Sequence, residues 1–156
     1  ILTDLASVYM TDKLGCRKSV VFAHIASFTG LVCLGILPKV MPSPYLGLII
    51  AIVIYAYGSG LIEVLVSPIV EALPTDNKSS AMSLLHSFYC WGQMLVVLFS
   101  TFYFIAFGTE NWRYLAFLWA LIPLVNGIFF TLVPIPPVLA KGESLGVKGL
   151  IKSKLF

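Results

Sequence analysis

The sequence predicts an all-α protein that crosses a membrane several times. Of its 156 residues, 59% are hydrophobic and 11% charged, whereas an ordinary soluble domain carries roughly a quarter charged residues. Four apolar runs stand out, each long enough to cross a hydrocarbon core of about 30 Å as a helix. None of the four shows the apolar-polar alternation of barrel strands, so their backbone groups must be satisfied within helices.

Taken in order, Ile1 to Met10 reads as the cytoplasmic end of an apolar helix whose beginning is missing, so the chain is expected to be a fragment. A charged loop follows, and then the runs Ser19 to Leu37, Tyr45 to Leu73, Ala81 to Phe107 and Trp112 to Val133, each bounded by Pro, Gly or charge. The turns Pro38 to Pro44 and Gly108 to Asn111 are short and force antiparallel neighbours. Beyond Gly142 the apolar density falls and Lys and Gly rise, as at the start of a linker. No signal-peptide pattern of basic, apolar and small-residue regions is read here, so targeting is expected to come from the spans themselves. Two of the three cysteines fall inside spans, and the odd number implies no disulfide framework.

Orientation follows from Lys and Arg. With the first loop cytoplasmic, Lys13, Arg17, Lys18, Lys78, Lys141, Lys148, Lys152 and Lys154 lie inside, and only Lys39 and Arg113 lie outside. This is the asymmetry of the positive-inside rule, and the reverse topology would invert it. Asn77-Lys78-Ser79 matches a glycosylation sequon but falls in a cytoplasmic loop, so it reads as a chance match.

The polar residues inside the spans point to a lined cavity. Glu63 sits in an otherwise apolar run, where an ionisable group costs about 2.5 to 3.5 kcal/mol on insertion scales and faces a cavity or a partner rather than lipid. A carboxyl that can exchange a proton there is what a proton-coupled transporter needs; the competing role is a permanently protonated, hydrogen-bonded structural residue. On the next helix Ser79, His86, Gln93 and Ser100 recur every seven residues, with Tyr89 and Cys90 on nearly the same face and Leu84, Phe88, Trp91 and Leu95 opposite. Asn126 adds a polar group beside Gly127 in the last span, near Pro123, where the helix can loosen. His24, alone in an apolar run, reads as structural. Gly30, Gly35, Gly47, Gly58 and Gly60 offer small contact surfaces for close helix packing, the usual means of association in lipid.

The first loop, VYMTDKLGCRKSVV, resembles the signature between the second and third helices of the major facilitator superfamily. Asp12, Lys13, Gly15 and Arg17 match it, while Val8 and Cys16 depart from the expected Gly and basic residue. The resemblance implies a charge-assisted latch between helix ends, made by Asp12, Lys13, Gly15 and Arg17, that loosens as the transporter changes state. Residues 58 to 92 are similar to helices four and five of the fucose permease group, with Gly60, Glu63, Pro68, Phe88 and Gly92 matching. Ser67, Ser83, His86 and Tyr89 stand where that group has Asn, Asn, Gln and Asn.

The resemblance spans about residues 8 to 135 and implies an all-α polytopic fold. Residues 1–137 would be part of a six-helix N-terminal half, comprising the end of helix 2 and helices 3 to 6. Residues 138–156 would begin the cytoplasmic central linker. It further implies a fragment of a secondary active transporter in the plasma membrane, taking up a small polar solute such as a sugar with protons by alternating access. Glu63 would couple the proton, and Ser83, His86, Tyr89, Gln93 and Asn126 would bind the solute. Its partners are the solute, protons, the lipid bilayer and the remaining half of the transporter.

Other classes lack their residues. No His-Glu-x-x-His metal motif or phosphate-cradling Gly loop occurs, and a net charge of +3 spread over loops is not the basic stripe a nucleic acid requires. No cofactor and no enzymatic activity are expected. The Gly-Pro pair of the superfamily's drug antiporters is missing from the Gly92 helix, which favours a symporter. The competing reading is a noncatalytic membrane scaffold or receptor-like protein that keeps the fold and would tolerate loss of the Glu63 charge.

Overall fold

A computed structural model describes the chain over residues 2–135. It contains five α-helices: α1 (Leu2–Leu14), α2 (Cys16–Val40), α3 (Pro44–Glu71), α4 (Lys78–Phe107) and α5 (Trp112–Leu132), with a 3-10 turn at Thr109–Asn111 before α5. Four helical stretches are long and apolar enough to cross a membrane: α2, α3, α4 and the turn with α5. Each lies within a few residues of the corresponding apolar run. The linker expected over 138–156, with Lys141, Lys148, Lys152 and Lys154, lies outside the described residues.

The first loop departs from expectation. Instead of an irregular segment after Met10, α1 runs on to Leu14, and a single residue, Gly15, separates it from α2. Gly15 has φ +80° and ψ 157°, a backbone region essentially confined to glycine. The break is held on both sides. The Gly15 N–H donates to the Thr11 carbonyl at 3.0 Å, and the Ser19 hydroxyl donates to the Gly15 carbonyl at 3.0 Å. Most of the expected loop is therefore helix, because one glycine suffices to redirect the chain and its neighbours satisfy their own backbone.

The bundle is organised around α2, which packs along both α3 and α5. Glycines set the α2–α3 seam. A Cβ on Gly30 would fall on the backbone of Tyr55, one on Gly58 would lie 2.6 Å from the Ser27 hydroxyl and 2.9 Å from the Ala23 carbonyl oxygen, and one on Gly47 would lie 2.8 Å from the Leu37 carbonyl oxygen. The pairs 27–58, 30–55 and 37–47 run in opposite directions, as antiparallel neighbours must. Lipid tails provide no hydrophobic drive between helices, so this backbone proximity and the dispersion contacts it permits hold the pair. Four of the five glycines expected to pack closely thus do so, Gly35 against the Phe117 ring; Gly60 is half-buried. Towards one end the seam continues in a cluster of Val20, Ala23, Leu61, Leu65 and Ile69. There α1 joins it, and the Tyr57 hydroxyl reaches Met10 Sδ at 3.9 Å.

The α2–α5 pair is tied near both ends by arginine. Arg17 Nη2 donates to the Val133 carbonyl at 2.9 Å, and Arg113 Nε donates to the Gly35 carbonyl at 2.7 Å. Pro38 lies in the last turn of α2 and has no N–H for the Leu34 carbonyl, so the ladder is already broken beside the carbonyl that Arg113 reaches. Between the ties, His24 is buried at 3% exposure. Its Nδ1 donates to the Val20 carbonyl at 2.8 Å, and its ring centroid lies 5.1 Å from that of Phe130. This is the structural role the sequence suggested.

Antiparallel connection places Lys13, Arg17, Lys18 and Lys78 at one end of the bundle and Lys39 and Arg113 at the other. Asn77 of the apparent sequon caps α4, its side-chain oxygen accepting from the Ser80 N–H at 3.3 Å. With Cys16, Cys33 and Cys90 replaced, an impermeant thiol reagent applied to intact cells should label Ser43→Cys and Thr109→Cys but not Ser79→Cys. Labelling at 79 would invert the orientation.

Candidate functional site

Two features of α3 and α4 define the candidate site. Glu63 is exposed on α3, eight residues, or about 12 Å of helix, from Glu71 at the basic end. The faces of α3 that carry Gly47, Ala51, Gly58, Leu61, Leu65 and Ile69 are buried, so Glu63 points away from the seam with α2. A carboxylate cannot remain against lipid without severe cost, and the side of α3 bearing it is therefore the side that meets water, solute or another polar helix.

α4 is the neighbouring helix. It packs against α3 and, at its far end, against the 3-10 turn and α5, yet no residue along its 30-residue length is buried. The rings of His86 and Tyr89 are 6.3 Å apart at 34°. The structure thus sets Tyr89 beside His86 on α4, both exposed, while Glu63 stands exposed on α3. Ser83 and Gln93 are also exposed on α4, one turn to either side of the two rings, and Gln93 opens onto a shallow groove with Val97 and Thr101.

Not every predicted position joins them. Ser100, the last member of the sevenfold polar stripe, is turned towards α5, where its Oγ accepts from Trp119 Nε1 at 3.2 Å. A straight helix drifts about 20° per heptad, so a sevenfold repeat cannot keep one bearing over four members. Asn126 is exposed on α5, and α5 makes no contact with α3 among the described residues. It stands on a different side of the bundle from Glu63.

The loop residues divide their roles. Arg17 reaches α5 at Val133, where a guanidinium opposes the negative end of the helix dipole. Lys13 stays on its own helix with Nζ 4.5 Å from the Tyr9 ring centroid, a cation–π placement. Gly15 makes the break. Asp12 is exposed. The helix-end tie is therefore made here by the basic member of the signature with a backbone carbonyl. Sequence reasoning missed the Arg113–Gly35 tie at the opposite end. The one available signal was the coincidence of Gly35, which leaves the backbone open, with Pro38, which interrupts the ladder one turn on.

A family model described as Major Facilitator Superfamily matches residues 1–154. No curated protein and no solved structure matches the chain.

Proposed function

The chain belongs to the major facilitator superfamily, and on that premise we propose that it is part of the N-terminal half of a proton-coupled symporter for a small polar solute such as a sugar. Members of this family are membrane transporters rather than enzymes. In this reading α1 is the end of helix 2 and α2 to α5 are helices 3 to 6, residues 138–156 begin the central linker, and the protein resides in the plasma membrane. The observation that supports the proposal is that Glu63 on α3 and the adjoining His86 and Tyr89 on α4 are polar groups left exposed by the bundle inside membrane-spanning helices.

The chemistry follows from the residue types. Transport sites of this kind lie near the bilayer midplane between two structural repeats. Hydroxyl, amide and imidazole groups of Ser83, Tyr89, Gln93 and His86 offer donors and acceptors to a hydroxylated solute, and the ring face of Tyr89 offers an apolar surface to its carbons. Asn126 would join them only in a state that brings α5 round to the same cavity. Glu63 takes the proton. The fucose-permease-like pattern of Gly60, Glu63, Pro68, Phe88 and Gly92 supports a sugar, while Ser83, His86 and Tyr89 change the donors and acceptors presented to it. The Gly15 break and the Arg17 tie would act as the latch, with Asp12 and Lys13 free to engage the other half.

Gln93→Ala in the full-length transporter should weaken solute binding about tenfold, the equivalent of one good hydrogen bond in a cavity, with membrane insertion unchanged. Equilibrium binding of a panel of radiolabelled sugars, read alongside surface expression, tests this. Unaltered affinity with reduced expression would make the α4 stripe structural.

A further inference from the structure

Between α2 and α5 runs an apolar groove of about 270 Å³, walled by Val21, Ile25 and Phe28 of α2 and by Leu124, Gly127 and Ile128 of α5. Gly127 lets the two helices touch, since a Cβ there would lie 3.2 Å from that of His24, and it contributes no side chain to fill the space beside the contact. Polar atoms along the wall are turned to their own helices: Nδ1 of His24 donates to the Val20 carbonyl at 2.8 Å, and Oγ1 of Thr131 donates to the Ile128 carbonyl at 2.6 Å. On α2 the seam with α3 runs through Ala23, Ser27 and Gly30. Val21, Ile25 and Phe28 lie round the helix from those three, so the groove opens away from α3 and from Glu63.

The groove leads to two cations. Lys18 precedes Val21 by three residues and Ile25 by seven, which puts it on the same face of α2. Arg17, four residues before Val21, spans from α2 to the Val133 carbonyl of α5 at 2.9 Å, just beyond the end of the groove that Thr131 lines. Both cations are exposed. Neither α2 nor α5 contains an Asp or Glu, and neither cation makes an ion pair among the described residues.

We propose that this groove binds an anionic diacyl phospholipid, with one acyl chain along Val21, Ile25 and Phe28 and the phosphate at Lys18 and Arg17. Both halves of the site select that occupant. From Val21 to Phe28 is about 10 Å of helix, a third of the hydrocarbon thickness, and an apolar groove open on the side of a membrane-spanning pair remote from the solute site is filled by a lipid chain rather than by water. Where the groove ends, two cations without carboxylates require a negative charge at the depth of the headgroups. Basic pockets between membrane helices recognise anionic headgroups in this way. A phosphocholine lipid brings its own cation and gains less, and a soluble anion would meet the cations but leave the groove empty. The inference depends on the chain crossing a membrane and not on which solute it carries or how transport is coupled.

The test counts bound lipid. Full-length protein, stripped of lipid in detergent, is titrated with dioleoyl phosphatidylglycerol or dioleoyl phosphatidylcholine and followed by native mass spectrometry. The wild type should bind the first phosphatidylglycerol several-fold more tightly than phosphatidylcholine. Lys18→Gln should weaken phosphatidylglycerol about fivefold, the share of one surface cation, and leave phosphatidylcholine unchanged. Ile25→Trp, which crowds the groove from its exposed wall, should weaken it as well. Lys78→Gln, a cation at the same end but on α4, and Ile122→Trp, on another face of α5, should leave it in place. Equal binding of the two lipids by the wild type overturns the proposal, as does an affinity indifferent to Lys18→Gln or lowered as much by Lys78→Gln. Displacement of the lipid by an equal concentration of sn-glycerol 3-phosphate also overturns it, by showing a site for the phosphate alone. Should Ile25→Trp not fold, the lipid preference, the two lysine variants and the displacement decide. Lysine 18 is exposed at the helix end, so its replacement leaves the packed seams intact.

Discussion

Gly58→Ala is expected to unseat α3 from α2 and to lower the melting temperature of the detergent-solubilised protein by several degrees. The new methyl would lie 2.6 Å from the Ser27 hydroxyl and 2.9 Å from the Ala23 carbonyl oxygen, and two of the atoms it meets belong to the α2 backbone, which cannot turn aside as a side chain would. Forcing an extra methyl into packed helices costs about 1–3 kcal/mol. Gly30→Ala meets the backbone of Tyr55 and should behave alike. Gly92→Ala supplies the control, because nothing lies within 4 Å of a Cβ there and alanine is the better helix former by about 1 kcal/mol. Thermal unfolding of the three variants checks the seam. If Gly58→Ala melts with the wild type, the helices do not approach as closely as described. The effect should extend to the site, since the buried seam that Gly58 occupies sets the rotation of α3 and hence the side to which Glu63 points.

The spans were legible because length and apolarity alone mark a transmembrane helix, and the ends of α2 to α5 fall where Pro, Gly and charge interrupt each run. The seam glycines were legible for a related reason: in lipid, close packing favours small residues, and Gly30, Gly47 and Gly58 sit where the helices touch. The one-residue break at Gly15 was not legible. Asp12, Lys13 and Arg17 read as a loop by composition, yet polar residues at a membrane surface are equally content in a helix that has one glycine at which to turn. The heptad spacing of the α4 stripe suggested a single face reaching Ser100, and helical drift carried that residue to Trp119. Placing Asn126 required knowing which helices are neighbours, and that depends on Arg17 and Arg113 choosing backbone carbonyls on distant turns. No sequence pattern marks such partners, because every residue carries a carbonyl.

The largest functional effect is expected at Glu63. Glu63→Gln in the full-length transporter should abolish solute accumulation driven by a proton gradient while leaving measurable solute exchange. Glutamine keeps the shape and a hydrogen-bonding carbonyl but cannot gain or lose a proton in the physiological range. A gradient of one pH unit is equivalent to about 1.4 kcal/mol per proton, enough to concentrate a neutral solute about tenfold when one proton moves with each molecule. Without a titrating group that energy has no route to the solute, and the internal concentration should stop at the external one. Exchange moves solute in both directions with no net proton flux, so it requires only that the cavity open alternately to each side. Both activities are measured in the same proteoliposomes, with and without an imposed gradient. Tenfold accumulation by the Gln variant would make Glu63 a structural residue with no part in coupling. Loss of exchange together with accumulation would place the carboxyl in solute binding rather than in coupling. Because Glu63 faces away from the α2 seam and is exposed on α3, the substitution opens no hole in the bundle, and loss of accumulation with exchange retained is then the signature of a missing proton site.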